Sequence, residues 1–323
     1  MRRTFAQCSI ALFAGTLGVG ALLPSQAAAT FEGRNGLIAW SSVVSNGKAG
    51  GAFAITIIPG RGKKQVIRAC SDVNSFGDPI YCEAWDRVSF SPDGRQLMWD
   101  QTASGGNEQI VLAKPDGSAP QTIDHGSAES DSEPSFSPDG QRIVYVRGQL
   151  GAEGQIVTSN LAGGDVQVMT PTVTGFSPVW APNGRTIVFV HGEDIWSVGV
   201  NGQGAKLLIR GGQDPDFSPD GRQIVYLNNG GFVSTFGMIY TARADGTHRR
   251  KLPLTKGCCK YVQSVAFSPN GKQLVFGLLS ARAKQNLELS TVAMKGGHPK
   301  RISSRFTDYN GGFTTGVSWQ PRR

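Results

Sequence analysis

Four histidines, His125, His191, His248 and His298, are the side chains best suited to move protons near neutral pH. No His-Glu-x-x-His run places two of them on one helical face. His248 and His298 follow the turn signals Asp245-Gly246 and Gly296-Gly297, so they belong to outer hairpins. His125 and His191 lie in other connections and are the only candidate bases, each reading first as an ordinary surface histidine. Ser91, Ser137, Ser218 and Ser268 recur in equivalent slots, but no Gly-x-Ser-x-Gly elbow occurs. A nucleophile would not recur in every repeat, and Ala181 and Gln320 fill the same slot elsewhere, so these serines read as turn residues. The segment from Asp124 to Pro134 carries Asp124, Glu129, Asp131 and Glu133 without the spacing of a calcium loop, and is expected to be a solvated acidic loop. No catalytic residue, metal site or cofactor is assigned.

The cysteines point to an oxidising compartment. Cys70, Cys82, Cys258 and Cys259 match no zinc spacing, and no histidine lies near them. Cys70 and Cys82 bracket one extended segment and are expected to pair, which would contribute about 3 kcal/mol. Cys258 and Cys259 could pair with each other, pair elsewhere or stay reduced. Ahead of them, Arg2 and Arg3 precede an uncharged apolar run from Ile10 to Leu23 and the small residues Ala27-Ala28-Ala29. Residues 1–29 therefore read as a signal peptide cleaved near Ala29, by the general or the twin-arginine route. Its loss removes two arginines and no acid, lowering the formal charge from +8 to +6. The remaining chain has no apolar stretch long enough for a membrane span and is expected to be a periplasmic or secreted monomer.

These side chains hang on a repeat. Val88-Ser-Phe-Ser-Pro-Asp-Gly recurs as Pro134-Ser-Phe-Ser-Pro-Asp-Gly, Pro178-Val-Trp-Ala-Pro-Asn-Gly, Pro215-Asp-Phe-Ser-Pro-Asp-Gly and Val265-Ala-Phe-Ser-Pro-Asn-Gly. Successive copies lie 46, 44, 37 and 50 residues apart, and 52 more reach Pro321. That is the length of a four-stranded propeller blade. The aromatic ends an inner strand, the Pro-Asp/Asn-Gly turn reverses the chain, and a run such as Ile-Val-Tyr forms a buried second strand. A second hairpin signal follows about twenty residues later, at Asp116-Gly117, Gly163-Gly164, Asn201-Gly202, Asp245-Gly246 and Gly296-Gly297. Val317-Ser-Trp-Gln-Pro321 holds the first half of a motif, and Asn35-Gly-Leu-Ile-Ala-Trp40 holds the second. The fold expected is all-β: a six-bladed propeller of four-stranded antiparallel blades over residues 30–323, its ring closed by pairing of the N- and C-terminal strands.

The Ser-Pro-Asp-Gly repeats with their following Ile-Val-Tyr strands resemble the TolB-like six-bladed propellers. The resemblance covers residues 31–323 and extends to the propeller repeats only, since no room is left for the α/β domain that precedes the TolB propeller. It implies a fold, while function must come from sites on it. The short turns form one face, with Arg95, Arg142, Arg185, Arg222 and Lys272 following them; these are expected to pair with nearby aspartates. The other face carries the long connections, where recognition usually sits. The candidate ligand-binding residues there are Phe76, Tyr81, Trp85, Tyr261, Phe306, Asp308, Tyr309 and Phe313. Aromatics beside polar groups suit a protein segment or a glycan. The expected function is a non-catalytic, exported binding module for an envelope or extracellular protein or polysaccharide. The alternative is a propeller lyase or hydrolase with its site at the channel mouth. A secreted chain without a base-reading motif is not expected to bind nucleic acid.

Overall fold

In a computed structural model the chain is described at residues 26–27, 33–45, 51–58, 65–69, 87–102, 107–126, 128–149, 152–228, 237–255, 262–279, 287–302 and 314–322. Every regular element among them is a β-strand. The repeated turns explain why. Gly94, Gly140, Gly184, Gly221 and Gly271 all adopt φ between 67° and 70°, a conformation that costs other residues about 1–2 kcal/mol. In front of each sits the motif serine or its substitute. Ser91 Oγ accepts from Gln96 N at 2.9 Å and donates to Asp93 Oδ1 at 2.6 Å, closing the turn from both sides. The same pair of bonds recurs at Ser137, Ser218 and Ser268.

The strands so joined form antiparallel meanders, numbered here I to VI in chain order. Unit II contains Val88–Phe90, Leu97–Thr102, Glu108–Ala113 and Gln121–Ile123. Unit III contains Ser130–Phe136, Arg142–Gly148, Gly154–Asn160 and Gln167–Val168. Unit IV contains Thr174–Trp180, Thr186–His191, Asp194–Gly199 and Lys206–Ile209; its first strand also pairs with the third strand of unit III, merging the two sheets. Unit V contains Gln213–Phe217, Gln223–Asn228, Met238–Arg243 and Arg250–Lys251. Unit VI contains Val262–Phe267, Gln273–Leu279, Leu287–Ala293 and Lys300–Arg301.

Unit I takes strands from both ends of the chain. Arg34–Ser45 lies between Gly51–Ile58 and the C-terminal strand Thr314–Arg322, with Ile38 opposite Trp319 and Trp40 opposite Val317. Gln65–Ala69 completes the sheet. Gln320 holds the motif slot occupied elsewhere by serine. Its longer side chain makes the equivalent bond: Oε1 accepts from Leu37 N at 3.0 Å, while Nε2 donates to the carbonyl of Gly94 in unit II at 2.7 Å. Gln26–Ala27, within the expected leader, pairs in parallel with Gly316 and Val317.

Apolar clusters lie between neighbouring units. Trp99 and Phe90 pack with Ile55 and Ala39 between I and II, and Phe276 with Val225 and Leu227 between V and VI. Trp40, Val317 and Trp319 pack with Ala266, Val275 and Leu289 between I and VI. The first strands touch in the order Thr314–Arg322, Val88–Phe90, Ser130–Phe136, Thr174–Trp180, Gln213–Phe217, Val262–Phe267, and back to Thr314–Arg322.

Candidate functional site

Apart from short pairings at Thr174, Gly175, Val262, Gly316 and Val317, the first strand of each unit is paired on one side only, so its polar groups on the other side need other partners. Counting back three residues from each motif aromatic gives Arg87, Glu133, Ser177, Asp214, Ser264 and Gly316. All are buried. Glu133, Ser177 and Asp214 have φ of 58°, 56° and 51°, each just before a proline and at a break in the strand register. Such a bulge re-aims a side chain, and a first strand can carry proline because that edge has no ladder bond to lose.

The re-aimed carboxylates close on backbone amides of the next unit. Glu133 Oε2 accepts from Ser177 N. Asp214 Oδ2 accepts from Val265 N, and Asp216 Oδ2 from Phe267 N, both at 2.7 Å. Asp100 accepts from Arg87 N at 3.0 Å and Glu133 N at 2.6 Å. Between units I and II a hydroxyl does the same work, with Ser318 Oγ accepting from Phe90 N at 3.3 Å. Arg87 lies among these acids and reaches past unit III, its Nη1 donating to the carbonyl of Pro178 in unit IV at 2.9 Å. Full burial pushes its pKa down, while Glu133, Asp214, Asp216 and Asp100 push it back up. Chemically, this is a set of charge-assisted fasteners between inner strands around a buried cation.

A second polar cluster lies between units II and III. His125 Nδ1 is 2.7 Å from Asp131 Oδ2, and His125 Nε2 is 2.9 Å from Ser159 Oγ. Arg147 grips Asp131 through Nε at 2.7 Å and Nη2 at 2.9 Å, and Nη2 also donates to the Tyr145 hydroxyl. The Tyr145 ring stacks on His125 with centroids 4.6 Å apart. Burial pushes the Asp131 carboxyl up, but the bonds from Arg147 and His125 outweigh it and hold it below the usual carboxylate range. Burial pushes the Tyr145 hydroxyl up. The order Ser159–His125–Asp131 is that of a proton relay, but Ser159 is fully buried and its hydroxyl donates to the carbonyl of Asn160. The cluster fastens two units together.

Two expectations are corrected here. His125 is not a surface histidine: its side chain is 1% exposed, because Tyr145 stacks on it and Asp131 and Ser159 engage both ring nitrogens. The segment from Asp124 to Pro134 is not a solvated acidic loop throughout. Asp124 and Glu129 are exposed, whereas Asp131 and Glu133 are buried because Arg147 and backbone amides take up their charge. His191 does meet solvent at 38% side-chain exposure, beside Glu153, which also accepts from Thr174 Oγ1 and Gly192 N. The turn arginines behave unevenly: Arg95 and Arg222 lie 4.0 and 3.9 Å from their turn aspartates, while Arg142 instead pairs with Asp165 of the outer hairpin.

The candidate ligand-binding residues Phe76, Tyr81, Trp85, Tyr261, Phe306, Asp308, Tyr309 and Phe313 lie outside the described residues, as do Cys70, Cys82, Cys258 and Cys259. Sequence reasoning missed Arg87, Asp214 and Asp216, and placed Glu133 in a solvated loop. Their signal was a polar residue three or one before each aromatic, sharpened by the pairs Glu133-Pro134, Ser177-Pro178 and Asp214-Pro215.

Residues 86–264 match the family described as the TolB beta propeller domain. The chain belongs to that family. The TolB-like fold extends beyond the matched segment. TolB from Acinetobacter baumannii superposes with a TM-score of 0.67 at 18% identity, covering 89% of this chain and 67% of that one. A putative TolB from Agrobacterium tumefaciens gives 0.60 at 17%, covering 90% and 99%. A chain of a nidogen/laminin complex gives 0.62 at 13%, covering 88% and 98%. At such identities the likeness speaks for a β-propeller fold alone. No curated protein matches the sequence. No helix among the described residues is long and apolar enough to cross a membrane.

Proposed function

We propose that the chain is an exported six-bladed propeller that works as a binding module, recognising an envelope or extracellular protein or polysaccharide through the face opposite its short turns. Units I to VI are its blades. Closure of the ring is supported by the circular order of contacts among first strands and by the apolar cluster between units VI and I. Cleavage near Ala29 would remove Gln26–Ala27 from its place beside Thr314–Arg322. Amino-terminal sequencing of exported protein should then begin at Thr30.

The observation that carries the functional reading is the engagement of Glu133, Asp214 and Asp216 with backbone amides of the following units. Carboxylates holding strands are framework, and a rigid framework leaves recognition to the loops it presents. The segments 68–87 and 303–316 flank the closing blade in chain order and carry Trp85 and Tyr309. Binding of a partner captured from envelope extract should be abolished by Trp85→Ala with Tyr309→Ala, at nearly unchanged Tm. Loss of binding on reversing Arg95 and Arg185 to Glu, with the aromatic variants still binding, would move the working surface to the turn face. Release of new reducing ends from an envelope polysaccharide would instead make the protein a lyase or hydrolase.

A further inference from the structure

We propose that the turn-face corner of unit V is a second binding site, for a soluble linear polymer bearing oxyanions, independent of the loop-face ligand. The corner is an open cavity of about 890 Å³ whose charged walls are Arg222, Arg243, Arg249, Arg250 and Asp245, with His248 beside them. A neighbouring cavity of about 530 Å³ continues it across the turn of unit VI to Arg34 and Arg322 of unit I, and Gln223 lines both. Together they set six arginines against two aspartates, Asp220 and Asp245.

Two carboxylates leave four of the six arginine charges unbalanced, and both aspartates make their hydrogen bonds within their own turns. Asp220 accepts from Ser218 Oγ at 2.6 Å and Arg222 N at 3.1 Å; Asp245 accepts from Thr247 Oγ1 at 2.6 Å and Thr247 N at 2.9 Å. Both carboxyls are held below the usual range, with the hydroxyl of Ser218 and that of Thr247 as the respective first causes. Arg222 is 85% exposed and 3.9 Å from Asp220. Arg249 is fixed to backbone, Nε donating to the carbonyl of Gly246 at 2.9 Å, and Arg250 Nε is 3.4 Å from Thr241 Oγ1. Among the described residues Arg243, Arg249 and Arg250 make no ion pair with a carboxylate.

The same corner of unit III shows what neutralisation looks like. There Arg142 stands where unit V has Gln223, and Asp165 stands where unit V has His248; the two hairpin residues share the same left-handed backbone, at φ 52° and 54°. Arg142 pairs with Asp165 and donates to Thr158 Oγ1 at 3.1 Å, filling the corner. Unit V keeps the equivalent hydroxyl, Thr241, but has lost the acid and gained arginines on both sides. Guanidinium groups hold phosphate and carboxylate oxygens in paired hydrogen bonds, so oxyanions are the chemistry that fits. Two adjoining cavities that share Gln223 suit a chain of such groups better than a single ion.

The test uses the mature protein with polyphosphate, polygalacturonate, neutral dextran and phosphatidylglycerol vesicles as separate probes. Binding to polyphosphate or polygalacturonate is expected, weakening as salt rises, and the stronger of the two identifies phosphate or carboxylate as the native group. Arg243→Ala with Arg250→Ala should weaken it by about tenfold or more, since charge-assisted bonds contribute roughly 1.5–3 kcal/mol each. His248→Asp should weaken it too, with Tm unchanged. Arg185→Ala, on another unit, and the Trp85→Ala, Tyr309→Ala variant should bind as the parent does, which separates this site from the loop face. Equal loss with Arg185→Ala would mean attraction to net charge alone and would overturn the proposal. So would binding to vesicles without binding to either soluble polyanion, equal binding to dextran, or no binding at all.

Discussion

Units III and V share strand order, turn geometry and the sequence Phe-Ser-Pro-Asp-Gly, yet their outer corners differ in charge. Unit III pairs its charges with one another: Arg147 with Asp131, and Arg142 with Asp165. Unit V keeps the hairpin but leaves Arg222, Arg243, Arg249 and Arg250 around an open cavity. The residues that repeat build the frame, and the residues that break the repeat decide what each unit meets.

Damage to the frame that both units share should exceed damage to either corner. Arg87→Met would leave Glu133, Asp214, Asp216 and Asp100 without their central cation, and about 3–5 kcal/mol of stability should be lost in urea unfolding. Adding Glu133→Gln should return part of it. A loss under about 1 kcal/mol would mean that these buried charges act separately.

The next effect separates two turns of equal conformation. Gly94 and Gly184 have φ of 70° and 69°, but a Cβ on Gly94 would lie 2.2 Å from the carbonyl oxygen of Pro321, whereas one on Gly184 meets open space. Gly184→Ala should cost about 1–2 kcal/mol for the left-handed backbone. Gly94→Ala should cost more, because the closing strand must move. Equal costs would indicate that the C-terminal strand yields freely.

Within unit III, Asp131→Asn should destabilise by about 1–3 kcal/mol at neutral pH, replacing the two carboxylate oxygens that Arg147 and His125 share with one neutral amide oxygen. Because the folded pKa of Asp131 is depressed, its contribution is present above the ordinary carboxylate pKa and is lost as pH falls through the folded value. The difference between parent and variant should therefore shrink in acid. A constant difference would assign the loss to packing.

Arg142→Gln, which gives unit III the residue of unit V, should change Tm least, since the pair it breaks is exposed at the surface. It should also let the carboxyl of Asp165, held low chiefly by Arg142, rise in an NMR titration.

The frame was legible because its causes are local. A glycine at positive φ, a serine two residues before an aspartate and an aromatic two residues before a proline lie within one short motif, and the split motif marked the pairing of Trp40 with Val317. The fasteners between first strands were not legible, because Arg87 and Pro178 are 91 residues apart and no local pattern links them. His125 was misread for the same reason: what buries it is Tyr145 and Ser159, from strands that follow it in another unit. Its own neighbours, Asp124 and Gly126, suggest only a turn.

The account rests on the buried carboxylates of the first strands being framework, and amide hydrogen exchange tests that directly. The amides of Ser177, Val265 and Phe267 are held by Glu133, Asp214 and Asp216. Measured in the native protein, they should exchange only through global unfolding, with protection equal to that of buried ladder amides such as Val188 and Val225. Exchange at the rate of exposed loop amides, in a protein that otherwise stays folded, would show that these carboxylates are not committed to the strands and would contradict the account.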